Sequence, residues 1–250
     1  MENKKEIVNF DIKLPKANVI FLLDVSGSMM GERINCLNEA MEKALSELKE
    51  RSIKTGENIY VRVIKFSTYV EWVIGDEKNG VYIHDIHSWK KLKAGGTTNT
   101  ADAINECTKA LKLEHMTIGD KKPVVILFTD GASLDSYATK LAIDKLKTVY
   151  GENFEKKIIR IAIGIDDYDK KELEYFASIG NYYTCNGAYE NVPLVLNTDN
   201  PYEIAKNVVG AVSSDIFRSI PCSYCETDES NVDDDIPVVV EVIPNSTEEW

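Results

Sequence analysis

Residues Val19-Ile20-Phe21-Leu22-Leu23 form an apolar run with no polar break, and the run ends in Asp24-Val25-Ser26-Gly27-Ser28 before a stretch of helical periodicity begins. A run of this type belongs in a central strand of a mostly parallel sheet, covered on both faces. Such a strand, ending in a carboxylate and two hydroxyls just before a helix, is a place to hold a hard cation. Magnesium takes oxygen ligands in near-octahedral geometry and usually only one or two protein carboxylates, keeping several waters. Hydroxyls supply oxygen without charge.

The rest of the chain repeats the alternation of short apolar runs and helical segments that marks βαβ units. The first strand is expected at about Asn18 to Leu23. The helix after it, roughly Glu32 to Arg51, carries Ile34, Leu37, Met41, Ala44, Leu45 and Leu48 at three- and four-residue steps, one apolar stripe for a sheet face. A strand from Asn58 to Phe66 is followed closely by Tyr69 to Ile74, and the short interval of Ser67 and Thr68 predicts a hairpin to an antiparallel edge strand. Further on, the pattern predicts a helix over Ala101 to Leu113, a central strand at Pro123 to Phe128, and a helix capped by Asp135 or Ser136 and running to about Val149. It then predicts a strand at Lys157 to Ile163, a helix from Asp169 to Ile179, a short last strand at Tyr182 to Cys185, and a helix from Pro201 to about Ile216. The expected fold class is α/β, a Rossmann-like doubly wound sheet, mostly parallel with one antiparallel edge strand and helices on both faces.

A length of 250 residues fits one such domain, expected over residues 17–217, with an N-terminal extension at 1–16 and a tail at 218–250. The first sixteen residues mix Glu2, Lys4, Lys5, Glu6 and Asp11 with no long apolar stretch, so neither a signal peptide nor a membrane anchor is expected there, and the cytoplasm is the expected location. Five scattered cysteines do not form the framework of a small secreted protein, and reduced thiols are expected. Of the 41 acidic residues nine follow Arg218, where there is no Lys or Arg, leaving 32 acids against 29 bases before it, a balance of only −3. The net charge of −12 is therefore mostly a property of the tail, and it argues against nucleic acid as a partner. Cys222 and Cys225 make one CxxC pair in that tail, short of the four ligands of a structural zinc site. Glu226 to Asp235 reads as an acidic linker, and Ile236 to Ile243 has the composition of a strand that could pair with a sheet edge.

Three loops fall at strand ends or helix entries: Asp24 to Gly31, Gly95 to Thr100, and Asp130 to Asp135. In open α/β sheets the ligand crevice lies outside the carboxyl ends of the strands, where the strand order reverses. Asp24-Val25-Ser26-Gly27-Ser28, then Gly95-Gly96-Thr97-Thr98-Asn99-Thr100-Ala101-Asp102-Ala103-Ile104, then Phe128-Thr129-Asp130-Gly131, resemble in their order and context the von Willebrand factor A domain with its metal-ion-dependent adhesion site. The resemblance covers roughly Ala17 to Ile216. It implies that Ser26 and Ser28 ligate the cation directly, that Asp24 and Asp130 act largely through bound water, and that a threonine adds a further ligand. The family's ligand threonine opens a Thr-x-Thr-x-x-Ala-aliphatic run, which Thr98, Thr100, Ala103 and Ile104 match and Thr97 does not. The implied metal is Mg2+ or Mn2+, with one position left for an acidic group of a partner protein. Within the family the chain is most similar to the bacterial intracellular TerY-like proteins, which implies a tellurite-resistance, stress or phage-defence setting and a kinase or phosphatase of the same gene cluster as partner.

Two other readings compete. Asp and Ser after a strand can simply cap a helix, which would leave a structural domain with a vestigial metal site. A magnesium phosphatase of haloacid-dehalogenase type also places an aspartate at the end of its first strand and uses later acids such as Asp130 and Asp135, but it calls for a second aspartate where this chain has Ser26. A serine hydrolase elbow needs glycines two positions either side of the serine, and Ser28 has Ser26 before it. His84, His87 and His115 do not make a zinc-hydrolase pattern. Recognition without catalysis is the expected activity.

Overall fold

A computed structural model describes residues 16–112, 115, 120–130, 133, 135–150, 158–165, 170–183, 189–193, 195–197 and 199–212. Residues 1–15 of the expected N-terminal extension, the Asp169 cap, the end of the last helix beyond Val212, the Cys222/Cys225 pair and the expected strand at Ile236 to Ile243 lie outside the described residues. The strands are β1 (Lys16–Asp24), β2 (Asn58–Phe66), β3 (Val70–Ile74), β4 (Val81–Tyr82), β5 (Val124–Thr129), β6 (Ile159–Gly164), β7 (Ile179–Tyr183), β8 (Tyr189–Pro193) and β9 (Val195–Asn197). The helices are α1 (Glu32–Thr55), α2 (Thr100–Ala110), α3 (Ser136–Lys147), α4 (Lys170–Phe176) and α5 (Pro201–Val212).

The main sheet runs in the order β3-β2-β1-β5-β6-β9, with β4 also paired to β2. β1 lies parallel between β2 and β5, in register Val19 to Val61 and Val19 to Val124. β3 closes one edge antiparallel to β2, as the short Ser67-Thr68 interval predicts. After β1 the chain winds outward to β2 and its hairpin; it then returns to β5 on the other side of β1 and continues outward to β6. The order thus reverses between β1 and β5, and the crevice rule puts a ligand site at their carboxyl ends, where Asp24 and Asp130 stand.

Every residue of β1 from Ala17 to Asp24 is buried, as is every residue of β5 and β6, which is what helices on both sheet faces require. On α1 the expected stripe is realised: Leu37, Met41, Ala44, Leu45 and Leu48 are buried and Ile34 is partly so. That helix runs one turn past Arg51 and stops at Gly56, whose φ of 71° is the left-handed conformation a glycine C-cap supplies. α1 packs against α5, where the Lys43 ammonium sits 3.5 Å from the Tyr202 ring centre, and α2 packs against α3. Among the described residues no helix is long and apolar enough to cross a membrane.

Two expectations need correction. The helix expected to reach Ile179 ends at Phe176, and Ile179 opens β7. Buried Arg160 donates from Nε to Phe176 O at 3.0 Å, and Ser178 bonds Arg160 through both its backbone and its hydroxyl, so contacts to β6 end the helix before its local pattern does. The segment expected as a short last strand of the sheet at Tyr182 to Cys185 instead belongs, through Tyr183, to a separate antiparallel ribbon of β7 and β8; the sheet's last strand is β9.

At the amino-terminal end of the sheet, Glu57 is bonded by Arg51 at 3.0 Å and by Lys121. Burial pushes its carboxyl up, but the bonds from Lys121 and Arg51 outweigh that and hold it below the ordinary glutamate value of 4.5. A carboxylate held low contributes stability that is present above 4.5 and is lost as pH falls through its lower folded value. In Glu57→Gln the acid side of a thermal stability profile is therefore expected to flatten, with a lower melting temperature at pH 7; an unchanged acid limb would show that this cluster does not set it.

Candidate metal centre

Asp24 is the last residue of β1 and is fully buried. Its Oδ1 accepts from Ser26 N at 2.8 Å and its Oδ2 from Thr129 Oγ1 at 2.7 Å, so both carboxylate oxygens are held by this strand end and by the last residue of β5. Burial pushes the Asp24 carboxyl above its ordinary value, the bonds from Thr129 and Ser26 pull it back in part, and the Asp130 charge adds to the rise. Ser26 is buried and Ser28 exposed, and their Oγ atoms lie 3.0 Å apart. The chain between them makes one turn of 3-10 helix, Gly27–Met29, which places two hydroxyls side by side at the mouth of the crevice.

Thr98 is brought to the same place by backbone bonds. Gly95 N donates to Val25 O at 2.8 Å, Gly27 N to Gly96 O at 2.9 Å, and Asn99 N to Ser67 O at 3.1 Å, stitching the 95–99 loop between the ends of β1 and β2. Gly96 has φ of 89°, and a Cβ there would stand 2.5 Å from Thr68 Oγ1. Gly96→Ala is expected to cost about 1 to 3 kcal/mol, read as a drop in the urea midpoint; no change would mean that the loop does not depend on this approach. Thr97 is exposed and its hydroxyl and amide both bond Thr68 Oγ1, whereas Thr98 is buried, so the two adjacent threonines face different surroundings. Asn99 caps α2: its Oδ1 accepts from Asp102 N while its Nδ2 donates to Asp102 Oδ2 at 2.6 Å, a reciprocal cap that starts the helix one residue earlier than its apolar pattern does.

Asp130 follows β5 and is 3% exposed. Its Oδ2 accepts from Arg33 Nη1 at 3.2 Å, and its Oδ1, also buried, has no hydrogen-bond partner among the described residues. The same Arg33 nitrogen donates to Ser28 O at 3.1 Å, which links the first and third loops. Asp135, the other acid considered for the third loop, accepts from Ala138 N at 2.9 Å and serves as the cap of α3.

Four contributors to this arrangement are given no role by the motifs, although Thr129 and Asn99 stand within the motif segments. Thr129 holds Asp24, Arg33 holds Asp130, and Asn99 caps the helix after Thr98. The fourth, Asn38, sits buried in the apolar stripe of α1: its Oδ1 accepts from Trp89 Nε1 and Leu92 N, and its Nδ2 donates to Leu92 O and Ile34 O. A polar residue on the buried side of a helix was the one signal available for it.

The donor set suits a hard cation. It offers hydroxyls, two buried carboxylates and one buried carboxylate oxygen without a partner, and an orphaned acceptor of that kind is the atom a bound ion or its water would satisfy. Among the described residues no group of three or more His, Cys, Asp and Glu gathers that could hold a metal, so an ion at this place would depend on the hydroxyls as well as on the two carboxylates. His84 is engaged with Ser52 at 3.1 Å. Burial pushes the thiols of Cys36 and Cys107 up to about 11 and about 12, so both stay protonated at neutral pH.

The model of one protein family, the von Willebrand factor type A domain, matches residues 18–194. Among curated proteins, inter-alpha-trypsin inhibitor heavy chain H6 of Homo sapiens is 26% identical over 197 residues, covering 74% of this chain and 14% of the relative. Heavy chain H4 of Bos taurus is 27% identical over 227 residues, covering 82% of this chain and 23% of the relative. The chain thus spans less than a quarter of the length of either. Among solved structures, proximal thread matrix protein 1 from the mussel byssus, in a form with a zinc-occupied MIDAS motif, superposes with a TM-score of 0.56 at 21% identity over 79% of this chain and 47% of that one. A von Willebrand factor type A protein from Catenulispora acidiphila gives 0.53 at 16% identity, over 79% of this chain and 42% of that one. At these identities the structural likenesses establish the fold.

Proposed function

This chain belongs to the von Willebrand factor type A domain family, a family of metal-dependent adhesion and interaction modules, and from that premise we propose that it is a metal-dependent protein-binding module. Asp24, Ser26, Ser28, Thr98 and Asp130 would hold the divalent cation, Mg2+ or Mn2+. When bound, the cation supplies a positive centre to which an anionic oxygen from outside can attach. The partner we propose is a protein presenting a Glu or Asp side chain. The observation that carries this reading is the buried Asp130 Oδ1, without a hydrogen-bond partner among the described residues, together with a pair of hydroxyls 3.0 Å apart on the loop that Arg33 links to Asp130.

The residues suit holding an ion and a ligand better than turning one over. Both oxygens of Asp24 are committed to Ser26 N and Thr129 Oγ1, which restrains it from acting as a nucleophile, and Ser26 stands where the phosphatase pattern needs a second acid. We therefore read the protein as non-enzymatic. The finer assignments, a cytoplasmic module of TerY-like kind in a bacterial stress, tellurite-resistance or phage-defence system with a kinase or phosphatase partner, rest on the motif resemblance. Capture from lysate in Mg2+ should retain such a partner, release it in EDTA, and fail with Ser26→Ala. A partner retained equally in all three conditions would overturn the metal-dependent reading, and EDTA-sensitive phosphate release from an aryl phosphate would favour the phosphatase.

A further inference from the structure

Arg33 stands in the first turn of α1, with its side chain 27% exposed, and reaches back to Asp130. Its guanidinium is charged at every attainable pH. The buried Asp130 carboxylate therefore already has a full positive charge at 3.2 Å on Oδ2, while its Oδ1 is left for another partner. Through Ser28 O, the same nitrogen also touches the loop that carries the two hydroxyls.

Resting on the metal-site reading above, we propose that Arg33 is a positioning residue and built-in counter-ion that competes with the divalent cation for Asp130 and so sets the metal affinity of the site. Two effects follow from one charge. Without the metal, Arg33 neutralises a buried carboxylate that would otherwise be costly, which stabilises the fold. With the metal, the guanidinium and the cation face the same carboxylate and repel each other, which weakens metal binding. The protein thus trades affinity for the ion against keeping a positive group beside Asp130 for an incoming anion.

The signs separate this role from a purely structural one, because a residue that merely braces the loops loses stability and metal affinity together when it is removed. On the full chain, Arg33→Gln should melt at a lower temperature in EDTA yet bind Mn2+ about tenfold more tightly by calorimetry, the change produced by roughly 1.4 kcal/mol. Arg33→Lys keeps the charge and should stay within about threefold of the native affinity, so the idea remains testable if the glutamine variant folds poorly. Adding Arg33→Gln to Asp130→Asn should bring no tightening, because the shared carboxylate is gone. Equal or weaker Mn2+ binding by Arg33→Gln, or tightening by Arg33→Lys as large as expected for glutamine, would overturn the proposal. If the native chain gives no Mn2+ heat at all, the metal-site reading itself falls and the competition falls with it.

Discussion

Asp24→Asn is expected to weaken Mn2+ binding by about 100-fold, the upper range for losing a group that orients metal ligands, and at the same time to raise the melting temperature measured in EDTA. The two signs come from one environment. Asp24 is fully buried, and burial lifts its carboxyl above 3.8 despite the bonds from Thr129 and Ser26. For an acid whose folded value is raised, the stability it contributes is fully present below its unfolded value of 3.8 and is lost as pH rises through the raised folded value. At neutral pH the ionised carboxylate is thus a destabilising feature of the chelated protein, and an amide of the same shape removes it. A divalent ion reverses the balance by favouring the ionised form, so the rise in melting temperature caused by Mn2+ should shrink as pH falls toward the Asp24 value. Calorimetric Mn2+ titration and melts in EDTA, both over a pH series, check all of this. An Asp24→Asn protein that still binds Mn2+ like the native chain would remove the basis of the site.

Asn38→Ala should be the most destabilising of the substitutions considered, at about 3 kcal/mol, because it removes the partner of several part-buried backbone and indole groups at once. Trp89 Nε1 and Leu92 N lose their acceptor, and Leu92 O and Ile34 O lose a donor. The consequence reaches the site, since residues 89 to 92 lead directly into the 95–99 loop that carries Thr98. Urea unfolding should show a lower midpoint with an unchanged slope, and Mn2+ affinity should drop although Asn38 is not among the proposed ligands. A large loss of stability with native Mn2+ affinity would show that the 95–99 loop is held by its backbone bonds to Val25, Gly27 and Ser67 alone.

The parts of the fold that could be read from the chain are those whose local pattern and final environment agree. β1, β2, β5 and α1 are long, strongly patterned and buried as their patterns require, and Asp135 caps α3 as its position before a helical segment implies. The three loops were legible as strand ends and helix entries, and their convergence was implied by the motifs they carry; the strand-order reversal between β1 and β5 that brings them together is seen only in the fold, because βαβ alternation does not fix strand order. What could not be read depends on distant partners. The path from Gly75 to Ala94 has no periodicity of its own and is fixed by Asn38 in α1 and by buried Arg62, which donates to Asp76 O and Lys78 O. The stop of α4 at Phe176 is imposed by Arg160 and Ser178 from outside the helix. Arg33 looked like an ordinary surface residue of a helix start; only the fold shows that it spans 97 positions to meet Asp130.

The register of β1 has an effect on how the protein is made. Val19 pairs on one side with Val61 and on the other with Val124, which is translated 105 residues later. At about 5 to 20 residues per second on the ribosome, this buried apolar strand waits roughly 5 to 20 s with one flank bare. Nascent chains halted before Val124 should therefore be avid clients of ribosome-associated chaperones, and chains halted after Gly164 should be released from them.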